Sequence, residues 1–286
     1  MESKTSQIFP GILQWKIGDK RITVLNDGHF QIGSEYLTHV DGDAASILGA
    51  ALRPEIPTLI TNVYVIESEN HAPVLIDTGV GDKLAPAIKG NFRESLQHIG
   101  LTPEDIGYVL LTHLHGDHFY GLIDKEGTKN FPNAKVWVSD AERKFWLENE
   151  NLNDQDRQNG QDAKEYLAPY DVLGTKGEIL PGISEVPLPG HTPGQTGFLL
   201  ETGDEKVLFC ADVLGIPAVQ AKYPEVGFAT DVDYELGVAT RRGLLKKAAD
   251  EKLLLAGAHF EFPCITYVKN ENDHYTLISK QWFGQS

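Results

Sequence analysis

The chain is poor in cysteine: 286 residues include only Cys210 and Cys264. Two thiols cannot build a disulfide framework, and their scarcity suits a reducing compartment, so the cytoplasm is the expected location. No run approaches the ~18 apolar residues that a membrane-spanning helix requires. Met1 to Gln7 show neither an apolar core segment nor a small-residue cleavage pattern, and no secretory signal is expected there. Basic residues are also scarce, with 25 Lys and Arg against 41 Asp and Glu, a net charge of −16. That balance disfavours a nucleic-acid backbone or an anionic membrane as partner and leaves a small-molecule substrate. No repeat, low-complexity tract or long Pro/Gly/Ser linker interrupts the chain, so residues 1–286 read as a single domain. A chain of this length, 41% apolar and 23% charged, can bury a sizeable core.

Apolar patterning places strands at both ends and helices between them. A hairpin is expected from 12–17 and 21–25 around Gly18-Asp19-Lys20, and a second strand pair from 62–67 and 73–76. Helical spacing runs over 83–98 and stops at Gly100, and Thr102-Pro103-Glu104-Asp105 reads as a helix start. Residues 108–111 form a short apolar strand. The polar stretch 140–170 reads as helix with Asp140 as N-cap. Strands follow at 185–188, 197–201 and 206–210, then a helix over 234–250 and strands at 252–255, 265–268 and 275–278. This order implies an α/β fold of two sheets with helices on their outer faces.

The densest chemistry is His113-Leu114-His115-Gly116-Asp117-His118, directly after the 108–111 strand. Imidazole and carboxylate are ligands for zinc and other borderline divalent ions, and manganese, iron and cobalt suit the same donors. On an extended strand end residues two apart point the same way, so His113 and His115 can share one ion. Beyond Gly116 the backbone turns, leaving Asp117 and His118 free to face a second ion.

This segment resembles the His-x-His-x-Asp-His signature of the metallo-β-lactamase superfamily. Further landmarks follow in the family's order: Asp77-Thr78-Gly79, the loop Pro189-Gly190-His191-Thr192-Pro193-Gly194, Asp212 and His259. The resemblance implies an αββα sandwich of two mixed sheets with the metals at one edge. It also implies two divalent ions, zinc being the expected identity. His113, His115 and His191 would hold one, Asp117, His118 and His259 the other, and Asp212 would bridge them. Asp117 would further serve as the catalytic group that holds the attacking hydroxide and carries a proton to the leaving group, with Asp77 orienting a ligand histidine from behind. His29, His39, His71, His98 and His274 fall outside these motifs and are expected to be surface or structural.

Within the superfamily the chain is similar to the methyl parathion hydrolases and the quorum-quenching lactonases. The similarity rests on Phe131-Pro132-Asn133-Ala134, Phe145-Trp146-Leu147, Ala218-Val219-Gln220 and the run from Gly257 to Pro263. It implies hydrolysis of a small ester-like bond (a lactone, an aryl ester or a phosphotriester), with Phe145 and Trp146 as an apolar substrate wall. Core packing is the competing role for that aromatic pair. The relatives also suggest a homodimer, of which the residues themselves carry no sign. One departure is Phe119-Tyr120-Gly121-Leu122, where relatives tend to carry a glycine pair, and a bulky Tyr120 there would reshape the pocket.

Two rival readings share the ligand set. A thioester hydrolase of the glyoxalase II type usually adds a helical C-terminal region, and only a short tail follows His259 here. A di-iron redox protein of the flavodiiron kind would place Glu where His115 stands. Cys210 lies two residues before Asp212 and is expected to be a small core residue, not a ligand.

Overall fold

The computed structural model describes residues 11–83, 90–174, 176–203 and 205–282. Its strands in chain order are β1 (Ile12–Ile17), β2 (Lys20–Gln31), β3 (Leu37–Thr38), β4 (Thr58–Ser68), β5 (His71–Ile76), β6 (Tyr108–Leu110), β7 (Lys135–Trp137) and β8 (Val172–Leu173). They continue as β9 (Glu178–Leu180), β10 (Ile183–Pro187), β11 (Thr196–Glu201), β12 (Lys206–Phe209), β13 (Gly227–Phe228), β14 (Leu254–Ala256), β15 (Ile265–Asn270) and β16 (Tyr275–Ser279). The helices are α1 (Ala44–Ala50), α2 (Phe92–His98), α3 (Gly116–Phe119), α4 (Asp140–Arg143), α5 (Asp154–Leu167), α6 (Pro217–Gln220) and α7 (Tyr234–Glu251).

Two seven-stranded mixed sheets result, ordered β1-β2-β4-β5-β6-β7-β8 and β16-β15-β14-β12-β11-β10-β9, with β3 and β13 pairing apart. The first sheet is antiparallel up to β5 and parallel from β5 to β8, and in the second only β12 and β14 run parallel. Side chains alternate between faces along a strand. Val24, Tyr64, Ile66, Val74, Ile76, Leu110 and Trp137 therefore enter the core shared with Phe198, Leu200, Phe209 and Leu255 of the second sheet. Their sequence neighbours Leu25, Val63, Val65, Leu75, Val109 and Val136 point the opposite way, against Phe92 and Leu96 of α2 and Ala163 and Tyr166 of α5. A strand buried on both faces reads as a continuous apolar run, which is why 62–67 and 73–76 were legible.

The parallel strands decide where the site can form. β5, β6 and β7 run the same way, so the chain leaves all three at one sheet edge, and β12 and β14 do the same in the second sheet. Asp77, His113, Asp212 and His259 each follow one of these carboxyl ends within a few residues, as ligand-binding residues of α/β sheets generally do.

Several expectations are corrected. The first hairpin turns on Gly18-Asp19 alone, Lys20 pairs with Ile17, and β2 continues to Gln31. Of the helix expected over 83–98, Lys83 lies in a turn, 84–89 fall outside the described residues, and helix begins at Phe92. Thr102-Pro103 does open a helix, with Thr102 as N-cap, but it is a single 3-10 turn over Pro103–Asp105, because the chain enters β6 three residues later. The 140–170 stretch is broken: Ser139, not Asp140, caps α4 by accepting from Glu142 N, a wider turn covers Lys144–Glu148, and Asn153 caps α5. Lys252 ends α7 in the left-handed conformation and so cannot open the next strand, which starts at Leu254.

Phe198 of β11 meets Trp137 of β7 edge-on across the two sheets, with ring centroids 5.2 Å apart. Phe198→Ala should therefore cost about 3–5 kcal/mol of unfolding free energy. Urea denaturation measures it, and a loss below about 1 kcal/mol would show that the sheets are held together elsewhere.

Candidate metal centre

The seven side chains singled out in the sequence converge. His113 and His115 project from the extended segment after β6, with His113 Nε2 3.1 Å from His115 Nδ1. His191 arrives from the loop after β10 and places Nε2 2.9 Å from the same His115 nitrogen. Gly190 makes that loop fit. Its φ is +134°, and an added Cβ would lie 2.3 Å from the Gly237 backbone of α7. Asp212 follows β12 after Ala211, whose φ of +51° turns the chain out of strand register. Cys210 therefore stays in the inter-sheet core while Asp212 enters the site, so the two do not share a face as a continuous strand would dictate. His259 follows β14 and is held by the other sheet: Asn62 N donates to Ala258 O, Asn62 Nδ2 to Phe260 O and Tyr64 Oη to Gly257 O.

Three groups of donor atoms lie within 4.8 Å of one another: His113 with His115 and His191, His113 with His118 and Asp212, and Asp117 with His118 and His259. Asp212 sits between the outer two. Its Oδ1 is 3.4 Å from His118 Nε2, and its Oδ2 is 3.5 Å from His191 Nε2 and 2.9 Å from His259 Nε2. Asp117 places Oδ1 3.6 Å from His118 Nε2 and Oδ2 3.7 Å from His259 Nε2.

Hydrogen-bond bookkeeping tests whether cations fit. His259 Nδ1 lies 2.7 Å from Ile60 O, His118 Nδ1 2.8 Å from Asp77 Oδ2 and His191 Nδ1 2.9 Å from Asp231 Oδ1. Each of those oxygens only accepts, so each Nδ1 carries its proton and donates it outward. Thr112 Oγ1 gives its own hydrogen to Asp77 and so receives His113 Nδ1–H at 3.1 Å. Unless they take up a further proton, the inward Nε2 atoms are bare lone pairs facing carboxylates and one another. His118 Nε2 and Asp212 Oδ1 are buried with no hydrogen-bond partner among the described residues. Lone pairs aimed at lone pairs repel, and a divalent cation satisfies all of them at once; the donor set fits that group.

The electrostatics agree. Burial holds His113 and His115 well below the usual imidazole value, so both rings are neutral. Burial would also lower His118 and His259, but Asp212 and then Asp117 outweigh it and raise both. Burial likewise opposes the Asp212 charge, yet His259, His118 and His113 hold its carboxyl well below the ordinary range. The centre thus stabilises positive charge.

Asp77, at φ +60°, accepts from Thr112 N at 2.8 Å and Thr112 Oγ1 at 2.9 Å besides His118. Trp146 is 2% exposed, donates to Glu142 Oε1 at 2.6 Å and packs edge-on against His115 at 5.4 Å. Of the two roles weighed for it, packing is the one its burial carries, and Phe145 lies partly buried beside it. The Tyr120 ring lies over Gly116, where a Cβ would stand 2.2 Å from it, and its hydroxyl donates to Asp162 at 2.7 Å. His29, His39 and His98 are exposed, and His71 and His274 are half-buried.

Asp77 apart, sequence reasoning missed the supporting residues. Asp231 orients His191, Gln195 Oε1 accepts from Asp212 N at 3.2 Å, and Thr112 links Asp77 to His113. Glu142, fully buried, receives Leu114 N, Trp146 Nε1, Thr192 Oγ1 and Gly194 N, tying the first-histidine segment to the His191 loop. Only Thr112, next to the motif, carried a positional signal.

The profile of the Metallo-beta-lactamase superfamily matches residues 56–259. The chain belongs to the metallo-β-lactamase superfamily. Its superfamily relatives include an N-acyl homoserine lactonase of a Bacillus species, 25% identical over 243 residues that cover 76% of this chain and 88% of that one. The uncharacterized protein YobT of Bacillus subtilis (strain 168) is 32% identical over 143 residues, 48% of this chain and 56% of that one. Among solved structures, the hydrolase AbOPH superposes with a TM-score of 0.89 at 27% identity, covering 96% of this chain and 99% of that one. AidC, a dizinc quorum-quenching lactonase, shares the fold with a TM-score of 0.87 at 24% identity over 96% and 99% of the two chains. As a member of this superfamily the chain is a metal-dependent hydrolase.

Asp77→Asn tests the support behind His118. One carboxylate oxygen becomes an NH2 group, so either Thr112 N–H or His118 Nδ1–H loses its acceptor. Metal affinity should fall about 10- to 100-fold under chelator competition while the melting temperature changes far less. Unchanged affinity would leave Asp77 a turn-former only.

Proposed function

We propose that this chain hydrolyses a small ester-like substrate, a lactone in preference to an aryl ester or phosphotriester, at a pair of divalent ions, with zinc as their identity. The observation that carries the reading is the convergence of two carboxylates and five imidazoles, four of which have their outward nitrogen already committed. His113, His115 and His191 would hold one ion, Asp117, His118 and His259 the other, and Asp212, with an oxygen toward each group, would bridge them. Bound there, divalent ions would lower the pKa of a coordinated water toward about 7 and would polarise the substrate's carbonyl or phosphoryl oxygen. The preference for a lactone is supported by the lactonase relative matched over most of its length.

The protein's own groups divide the remaining work. Asp212 is 6% exposed and Asp117 19%, so Asp117 is the carboxylate reached from outside. It holds the attacking water and delivers a proton to the leaving oxygen. Asp77, Asp231, Thr112 and Ile60 O fix the ring planes of His118, His191, His113 and His259, so the donors need not reorganise during the reaction.

Elemental analysis should find two ions per chain, and chelation should abolish hydrolysis of a panel of lactones, aryl esters, thioesters and phosphotriesters, with lactones turned over fastest. One ion or none in an active preparation would overturn the two-ion reading, and a thioester preference would replace the substrate class.

A paired substitution tests the bridge. Cys210 is buried in the core, and burial pushes its thiol well above the usual range, so it is a poor ligand. Cys210→Ser should keep both ions and most of the activity. Asp212→Ala should lose at least one ion and nearly all turnover; the reverse pattern would exchange the two roles.

A further inference from the structure

α7 contains one buried cation. Arg241 is 1% exposed, on the helix face that also buries Val238, Leu244, Leu245 and Ala248. A guanidinium in that setting is costly unless its donors are met. Nε donates to Val213 O at 2.7 Å, and Nη1 to Pro224 O at 2.8 Å and Val226 O at 2.9 Å. Nη2 stands 3.5 Å from Asp231 Oδ2.

Two of these partners lead into the metal centre. Val213 directly follows Asp212, so holding its carbonyl anchors the 213–214 peptide, one residue along the loop from the proposed bridging carboxylate. Asp231 accepts His191 Nδ1–H through Oδ1 at 2.9 Å, while its Oδ2 also takes Phe228 N at 2.9 Å. The planar fork thus joins the loop carrying Asp212 to the carboxylate that orients His191, two stations that arrive from different strands. A lysine would supply the charge but not the fixed directions of several donors.

We infer that Arg241 is a positioning residue for the metal centre: braced on the backbone of the loop after Asp212, it sets His191 through Asp231. This rests on the ligand assignment proposed above. It predicts that perturbing Arg241 disturbs one end of the centre, not the fold as a whole.

The test uses the intact chain stripped of metal and titrated with cobalt(II), followed by visible absorbance and by the paramagnetically shifted exchangeable ring protons of His113, His118, His191 and His259. Arg241→Lys should weaken one of the two cobalt ions about 10- to 100-fold and displace the His191 proton signal alone. Asp231→Asn should move the same signal, and combining the two should cost little more than either, because both break one link. Equal weakening of both ions, displacement of all four signals, additive costs or no change would overturn the inference. Arg241→Gln, which retains a donor for Val213 O, serves as the second variant if Arg241→Lys does not fold. If neither folds, Arg241 is a core strut and the inference fails. A wild-type chain that binds no pair of cobalt ions would defeat the ligand assignment itself; one that binds two while the variants match it would defeat only the role of Arg241.

Discussion

Lone pairs turned on one another at close range are the constraint around which this molecule is built. Five imidazoles and two carboxylates share one small volume, and four of the rings have their outward nitrogen committed elsewhere. A buried polar atom without a partner costs about 1–3 kcal/mol. A pocket holding several can persist only if its surroundings are held rigidly by other interactions. Those come from the inter-sheet core, where Trp137, Phe198 and Phe209 are fully buried, and from β4, which grips the loop carrying His259. The apolar core thus secures an electrostatically unfavourable pocket that positive charge makes favourable.

What the sequence revealed and what it withheld divide along a physical line. The candidate ligands stood out because metal chemistry demands particular residue types at particular spacings: His113-Leu114-His115-Gly116-Asp117-His118 is informative without any tertiary knowledge, and the structure brings these side chains together with His191, Asp212 and His259. The strands of the first sheet were legible because burial on both faces produces uninterrupted apolar runs. Glu142, Gln195, Asp231 and Arg241 were not, because each is a single polar residue in a polar neighbourhood whose burial arises only when distant segments meet. The broken helix over 140–170 was hidden for a related reason. Polar helical composition does not reveal a break, and Ser139 rather than Asp140 becomes the cap through the hydroxyl that Glu142 N happens to reach. Two-residue strands such as β3 and β13 are too short to have a period.

Backbone strain marks the same stations. Asp77 and Ala211 both occupy the left-handed region, where a residue with a Cβ costs roughly 1–2 kcal/mol, and each stands at or beside a residue of the centre. The strain has a geometric origin. A strand delivers side chains along two opposite directions only, whereas a cation needs donors approaching from several. Ala211 converts the direction of β12 into the one Asp212 requires, and Asp77 bends the end of β5 so that one carboxylate reaches both Thr112 and His118.

The support of the candidate ligands depends on carboxylates used as hubs. Asp77 serves Thr112 and His118, Asp231 serves His191 and Phe228 N, and Glu142 serves Leu114, Trp146, Thr192 and Gly194. A carboxylate suits this position because it only accepts. Any ring nitrogen it faces must carry the proton, which settles the tautomer and leaves the opposite nitrogen bare. An amide could donate as well as accept and would leave that choice open. Negative charge behind the ligands also makes the rings more basic and favours a cation in front of them. Part of the acidic surplus of the chain is therefore concentrated where it does two jobs at once, fixing proton positions and attracting the charge that the ligands cannot do without.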